Sequence, residues 1–147
     1  MIRIRRSAIV RYSPLQMFDL VNDVEAYPRR FAWCTGAQVL AREDQSSTTS
    51  AISVRLALRV AGMTQAFTTR NTLEPPQRIV MQLVDGPFRQ LAGTWEFMAL
   101  GAGCKISLAL DFEYSGRLMA PVMRAGFEKL ADRMVDEFCA EADRVHG

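Results

Sequence analysis

The spacing of apolar residues divides the chain into a strand-rich body and two helical segments. Apolar and polar residues alternate in "TSAISVRLALRV" (49–60) and again in "KISLALDFEY" (105–114). This period of two is typical of antiparallel strands that bury one face and expose the other. Shorter alternating stretches, separated by glycine- and proline-containing turns, predict five further strands. The seven predicted strands lie at about 2–10, from 37 onward, and at about 49–60, 63–73, 78–84, 88–99 and 105–114.

The first of these strands contains a change of phase. Ile2 and Ile4 alternate with arginines, whereas Ile9 and Val10 are adjacent. Two neighbouring apolar residues cannot both lie on one face of a regular strand, because successive side chains point to opposite faces. The pattern therefore predicts a slip or a bulge near Ser7.

The two remaining segments have the spacing of helices. Ser13 is suited to cap a helix, Pro14 to occupy its first position, and Gln16 to complete a capping box. In the C-terminal segment, Pro121 predicts either a kink or the start of the helix. The predicted inner faces consist of Leu15, Phe18 and Val21 in the first helix, and of Met119, Met123, Phe127, Leu130, Met134 and Phe138 in the second.

This order of elements predicts one α+β domain, residues 1–147, with a space inside it. Seven strands at about 4.8 Å spacing form a sheet roughly 30 Å wide, whereas a helix with its side chains is only about 10–12 Å across. A curved antiparallel sheet must therefore wrap around the long C-terminal helix, and the short helices between strands 1 and 2 must close one end. An elongated apolar space remains, which either side chains or a ligand fill.

Three aromatic residues stand in the connection that follows the first helix, in "EAYPRRFAWC" (25–34). Tyr27, Phe31 and Trp33 either cap the core from outside or form an apolar gate at the rim of the internal space. Arg29 and Arg30 either face solvent or contact an anionic surface, such as a membrane or a phosphate.

The same pattern yields a set of candidate ligand-binding residues, although a stripe of Met and Phe at helical spacing is also what a plain core contains. Methionine suits a flexible hydrocarbon ligand because its unbranched side chain adapts its shape. The candidate lining residues are Phe18, Trp33, Phe67, Met81, Leu83, Trp95, Phe97, Leu110, Met123, Phe127 and Met134, with Tyr27, Pro28 and Phe31 at the rim. Gln65, Gln82 and the Trp95 indole are the candidate donors to a polar headgroup.

The residues that catalysis most often needs are scarce. The only histidine, His146, is the penultimate residue, so no Ser-His-Asp or Cys-His arrangement and no histidine-based metal site is expected. Asp111 and Glu113 share the outer face of a strand, where they are expected to be solvated. We predict a protein that is not an enzyme and that holds no metal and no cofactor.

Composition adds the expected compartment. Cys34, Cys104 and Cys139 are widely spaced and odd in number, which fits buried thiols in a reducing environment. No stretch reaches the ~18 apolar residues of a membrane span. The net charge of +2 is too small to indicate nucleic-acid binding by itself. A cytoplasmic location is expected.

Several segments at consistent spacing resemble one known family. They are "YSPLQMFDLVNDVEAYP" (12–28), "WC" (33–34), "GPFRQLAGTWEF" (86–97), "CKISLALDFEYS" (104–115) and "MVDEF" (134–138). They are similar to the START-like, helix-grip family (START/Bet v 1-like), which joins coenzyme Q-binding proteins with bacterial ribosome association toxins. That family tends to read Y-P-x-F-L-P-W-C where this chain has Arg30, Phe31 and Ala32 between the matching ends.

The resemblance implies a helix-grip fold with a hydrophobic cavity and two alternative functions, neither of them catalytic. In the first, the cavity carries ubiquinone or another polyprenyl lipid in support of respiration, with peripheral contact to the inner membrane. In the second, the protein binds the large ribosomal subunit and blocks subunit joining. The strand phases place Arg3, Arg5, Arg55 and Arg59 outward, where they are candidates for contact with rRNA phosphates. A third alternative, a polyketide cyclase or dehydratase, would require an acid or base in the cavity.

Overall fold

A single curved sheet forms the body of the protein. The computed structural model describes residues 1–147. The strands are β1 (Ile2–Val10), β2 (Cys34–Asp44), β3 (Ser50–Val60), β4 (Met63–Glu74), β5 (Arg78–Asp85), β6 (Phe88–Leu100) and β7 (Gly103–Tyr114). All neighbours are antiparallel, in the order β1-β7-β6-β5-β4-β3-β2. Strands β2 to β7 thus form a meander, and β1 joins its far edge.

The helices occupy the positions that the sequence predicts. They are α1 (Pro14–Asn22), α2 (Tyr27–Arg30) and α3 (Pro121–His146), with a 3-10 turn at Val24–Ala26. The predicted capping box is present: the Gln16 backbone N–H donates to Ser13 Oγ at 3.1 Å, and the Ser13 N–H donates to Gln16 Oε1 at 2.9 Å. Helix α3 begins at Pro121. The predicted helix-grip arrangement, with about seven strands around a long C-terminal helix, is confirmed.

Two local predictions are wrong. The pairing of β1 with β7 runs without interruption from Ile2 opposite Phe112 to Val10 opposite Cys104, so there is no slip or bulge near Ser7. Ile9 instead lies on the outer face with 75% of its surface exposed. Leu15, predicted to face inward, is 51% exposed, because α1 docks through Met17, Phe18, Leu20 and Val21.

The core fills the concave side of the sheet. Alternate residues of β7, from Ile106 to Phe112, are buried and face α3. Helix α3 covers them with Met123, Phe127, Leu130 and Phe138. All three cysteines are free thiols, with Cys34 and Cys104 buried and Cys139 half-buried. No helix is both long enough and apolar enough to cross a membrane.

Candidate functional site

A cavity remains between the concave face of the sheet and α3. Its volume is about 100 Å³, and 17 of its 19 lining residues are hydrophobic. Helix α3 forms one wall and the inner faces of β3 to β7 form the other. The two polar lining residues are Thr69 and Asn71, which are neighbours on the inner face of β4.

Eight of the predicted ligand-binding residues line this cavity. They come from six separate parts of the chain, which the sheet and α3 bring together. They are Tyr27, Trp33, Phe67, Met81, Trp95, Leu110, Phe127 and Met134.

The other six predicted residues lie outside the lining. Phe18, Phe31, Phe97 and Met123 are buried elsewhere in the core: Phe18 packs edge-on against Phe97 at 5.7 Å under α1. Leu83 is half-buried near the end of β5. Pro28 occupies the start of α2 with its ring exposed.

The lining also contains residues that were not among the predicted ligand-binding residues. They are Val24, Val54, Leu56, Leu58, Thr69, Asn71, Leu91, Leu108, Leu130, Ala131 and Phe138. Phe67, Thr69, Asn71 and Leu73 occupy every second position of β4, so the alternation that selected Phe67 also indicates the two polar residues. Because Thr69 and Asn71 are polar, the pattern of apolar residues alone did not indicate them.

Thr69 and Asn71 form a buried hydrogen-bonded pair. Their exposed fractions are 4% and 7%. The Thr69 hydroxyl donates to Asn71 Oδ1 at 2.8 Å, and the Asn71 side-chain nitrogen has no protein acceptor. Of the predicted headgroup donors, Trp95 lines the cavity, whereas Gln82 lies on the exposed face of β5 and Gln65 is half-buried outside the lining.

Two aromatic residues of 25–34, Tyr27 and Trp33, line the cavity, and together with Phe31 they attach this segment to α3. Phe31 stacks on Trp33 with ring centroids 4.8 Å apart, and both Tyr27 and Phe31 pack edge-on against Phe138. The Trp33 Nε1–H donates to Glu137 Oε1 at 2.9 Å. The Tyr27 hydroxyl donates to the Val21 carbonyl, and burial raises the pKa of that phenol. The segment is therefore packed onto the core and also bounds the internal space.

A second attachment between this segment and α3 is ionic. Arg30 Nη1 donates to Glu141 Oε1 at 3.0 Å, and Arg30 Nη2 lies 3.5 Å from Asp23 Oδ2. Glu141 is buried and also accepts from Arg144 Nε at 3.0 Å. The hydrogen bonds from Arg144 and then from Arg30 hold the pKa of Glu141 below its ordinary value. Arg30 thus holds the segment in place, whereas Arg29 is exposed.

The four candidate phosphate-binding arginines are all exposed but form two separate groups. Arg3 and Arg5 lie on the edge strand β1, and Arg55 and Arg59 lie on β3. Five strand spacings separate β1 from β3, which is about 24 Å along a sheet. Arg5 is paired with Asp111 at 2.8 Å, whereas Arg55 and Arg59 take part in none of the nine ion pairs.

Comparison with known proteins places this geometry in a family. Residues 10–139 match the family model described as polyketide cyclase / dehydrase and lipid transport. The crystal structure of the Zhui aromatase/cyclase from Streptomyces sp. R1128 is similar with a TM-score of 0.81 at 21% identity, covering 97% of this chain and 94% of that one. This likeness shows the fold.

Proteins with higher sequence identity to this chain are named ribosome association toxins. The ribosome association toxin RatA of Pseudomonas aeruginosa is 41% identical over 145 residues, covering 98% of this chain and 97% of that protein. The protein of the same name from Escherichia coli strain K12 is 40% identical over 145 residues, covering 98% of this chain and 89% of that protein. With its seven-stranded sheet gripping α3, the chain belongs to the START-like family that includes the ribosome association toxins.

Proposed function

We propose that this protein associates with the ribosome and acts there as a toxin of translation, without catalysing a reaction. The observation that carries the proposal is the identity of about 40%, over 98% of the chain, with proteins named ribosome association toxins. The proposed partner is the large subunit in the cytoplasm, where binding would block subunit joining. The cavity supports a role without catalysis, because its two polar side chains are a threonine and an asparagine and neither is an acid or base at neutral pH.

The surface that we assign to this role is the outer face of β3. Arg55 and Arg59 stand four residues apart on one strand face, and both are exposed without a carboxylate partner. Unpaired guanidinium groups are free to contact phosphates, whereas Arg5 is already engaged by Asp111. Arg5 is therefore a weaker candidate, whereas Arg3 takes part in none of the nine ion pairs but lies beside it on β1.

The test is co-sedimentation of the purified protein with ribosomal subunits at low and moderate salt. Binding through phosphates should weaken as salt rises, because counterions are released from the RNA. The double variant Arg55→Glu/Arg59→Glu should bind less and show a shallower dependence on salt. The matched control is Arg29→Glu/Arg133→Glu, which makes the same change in charge at exposed arginines of α2 and α3. Binding that is independent of salt, or an equal loss in the control, would contradict this surface.

A second candidate function is the binding of an apolar ligand, which the lining of the cavity favours. We propose that the ligand is a lipid such as ubiquinone, carried with peripheral contact to a membrane. Ligand pockets commonly have volumes of about 300–1,000 Å³, so the cavity of about 100 Å³ must enlarge to hold such a molecule. The half-buried Met81 and Met134 are the flexible lining side chains whose movement would enlarge it.

Organic extraction tests the second candidate. The protein is purified from a host that makes quinones, and the extract is examined by mass spectrometry and by ultraviolet spectra before and after borohydride. A quinone in stoichiometric amount is the expected result. An extract without lipid, or with a random mixture of lipids, would count against it.

A further inference from the structure

The cavity contains two polar side chains, which the binding of a purely apolar molecule would not require. Thr69 and Asn71 place a hydroxyl and an amide in a wall that is otherwise hydrophobic, and both side chains are more than nine-tenths buried. Burying polar groups opposes folding unless they find hydrogen-bond partners. Leucine and valine at these positions would complete the core without that cost, so the pair calls for an explanation in terms of binding.

The hydrogen bond between the two residues determines which atoms remain open. Because the Thr69 hydroxyl donates to Asn71 Oδ1, the oxygen of the amide is occupied and its orientation is set. The Asn71 Nδ2 group keeps its N–H donors, and none of them has an acceptor in the protein. Trp95 lines the same cavity, and its indole N–H makes no hydrogen bond within the protein. The site therefore keeps N–H donors on Asn71 that a ligand oxygen could satisfy.

Space for a ligand exists beside Asn71. Asn71, Met81, Gly93 and Leu110 lie in one row across β4, β5, β6 and β7. Gly93 has no side chain, and the position of its missing Cβ lies 2.8 Å from Met81 Cε and 2.9 Å from Leu110 Cδ1. The tip of Met81 thus covers Gly93, and rotation of this flexible side chain would open a space next to the amide.

We propose that this cavity recognises an apolar molecule that carries a carbonyl oxygen at its buried end, and that Asn71 Nδ2 donates the hydrogen bond to that oxygen. Thr69 is a positioning residue, because it holds the amide with its donors toward the space. The proposal rests on the second candidate function, since it requires that the cavity accept a ligand. It specifies the chemistry of the ligand: an acceptor is recognised, and a pure hydrocarbon of the same shape is not.

The test uses two small probes of nearly the same shape, acetophenone and α-methylstyrene, in which a methylene group replaces the carbonyl oxygen. Their affinities for the wild type, Asn71→Leu and Thr69→Val are measured by isothermal titration calorimetry. The quantity of interest is the ratio of the two affinities, because the difference in their hydrophobicity cancels between protein variants. Asn71→Leu should shift the ratio against acetophenone by about fivefold, the effect of one hydrogen bond.

Thr69→Val keeps the shape of the site and removes the hydroxyl that orients the amide. It should shift the ratio in the same direction by a smaller factor, and it serves in place of Asn71→Leu if that variant does not fold. An unchanged ratio in the folded variants, with both probes bound, would overturn this inference and leave the cavity function standing. Failure of the wild type to bind either probe would overturn the cavity function and this inference with it.

Discussion

At the scale of single residues, Trp33 joins two roles that the sequence left as alternatives. Its ring lines the cavity and stacks on Phe31, while its indole N–H reaches across to Glu137 on α3. One side chain thus closes the internal space and attaches the segment that covers it. Trp33 therefore both packs on the core and bounds the cavity.

Trp33→Phe should lower the free energy of unfolding by about 1–2 kcal/mol, because it removes a hydrogen bond to a charged group while keeping an aromatic ring. Urea denaturation measures the change. Glu137→Gln is the milder control, since its amide oxygen still accepts from the indole. If Trp33→Phe and Glu137→Ala are additive in the double variant, the hydrogen bond contributes nothing to stability.

Glu141 makes the ionic attachment between Arg30 and α3 sensitive to acid. Its folded pKa lies below the ordinary value of a glutamate, about 4.3, because Arg144 and Arg30 stabilise the carboxylate. A depressed pKa means that the unfolded chain takes up the proton first. The stabilisation is therefore complete above the unfolded pKa and is lost as the pH falls through the folded one.

Glu141→Gln tests this linkage. The difference in unfolding free energy between wild type and variant should be constant near neutrality and shrink as the pH is lowered from about 5. Chemical denaturation at a series of pH values provides the measurement. A difference that stays the same down to the acid transition would show that the ion pairs of Glu141 add no stability.

At the scale of elements, a local sequence signal, the capping box, determines where α1 begins. The capping box satisfies the backbone N–H groups of Ser13 and Gln16, which lack partners within the helix. Ser13→Ala should cost about 1 kcal/mol of stability, the usual effect of losing a cap. Thermal unfolding measures the loss, and Ser13→Asp, which can still accept from the Gln16 N–H, is the matched control. An equal loss in both variants would contradict the role of the cap.

The elements could be predicted from the sequence because their signals are local, whereas the cavity could be predicted only in part. Alternation correctly predicted that Arg55 faces outward and Val54 inward, because the direction of each side chain depends only on its position in the strand. Phe97 and Trp95 have the same phase on β6, yet only Trp95 lines the cavity, because α1 covers Phe97 through Phe18. Which inward residues border empty space is decided by what packs above them.

At the scale of the whole molecule, an aromatic cluster around Phe127 attaches α3 to the sheet. Phe127 lies 5.1 Å from both Phe88 and Phe112 and 6.4 Å from Phe67, measured between ring centroids. These rings join the first half of α3 to the sheet. Phe67 and Phe127 also line the cavity, so a ligand there would contact this cluster.

Phe127→Ala should cost about 3–5 kcal/mol, the usual effect of removing a buried phenylalanine. Met134→Ala, at a half-buried position of the same helix, should cost less and alter the cavity instead. Urea denaturation of the two variants makes the comparison. If the two variants are equally stable, the aromatic cluster is not the main attachment of α3. A charge at Phe127 would be buried among these rings and should cost still more stability, so Met134 is the better position at which to alter ligand binding.

The place of β1 in the sheet has a consequence for synthesis. Ile2 pairs with Phe112, and the whole of β1 pairs with β7 alone. Contacts between residues so far apart in the chain form slowly, because a long loop must first close. As the polypeptide emerges, its first strand has no partner until β7 has followed it. A nascent copy can therefore complete its sheet only after β7 has been made, and can enclose its cavity only after α3 has followed.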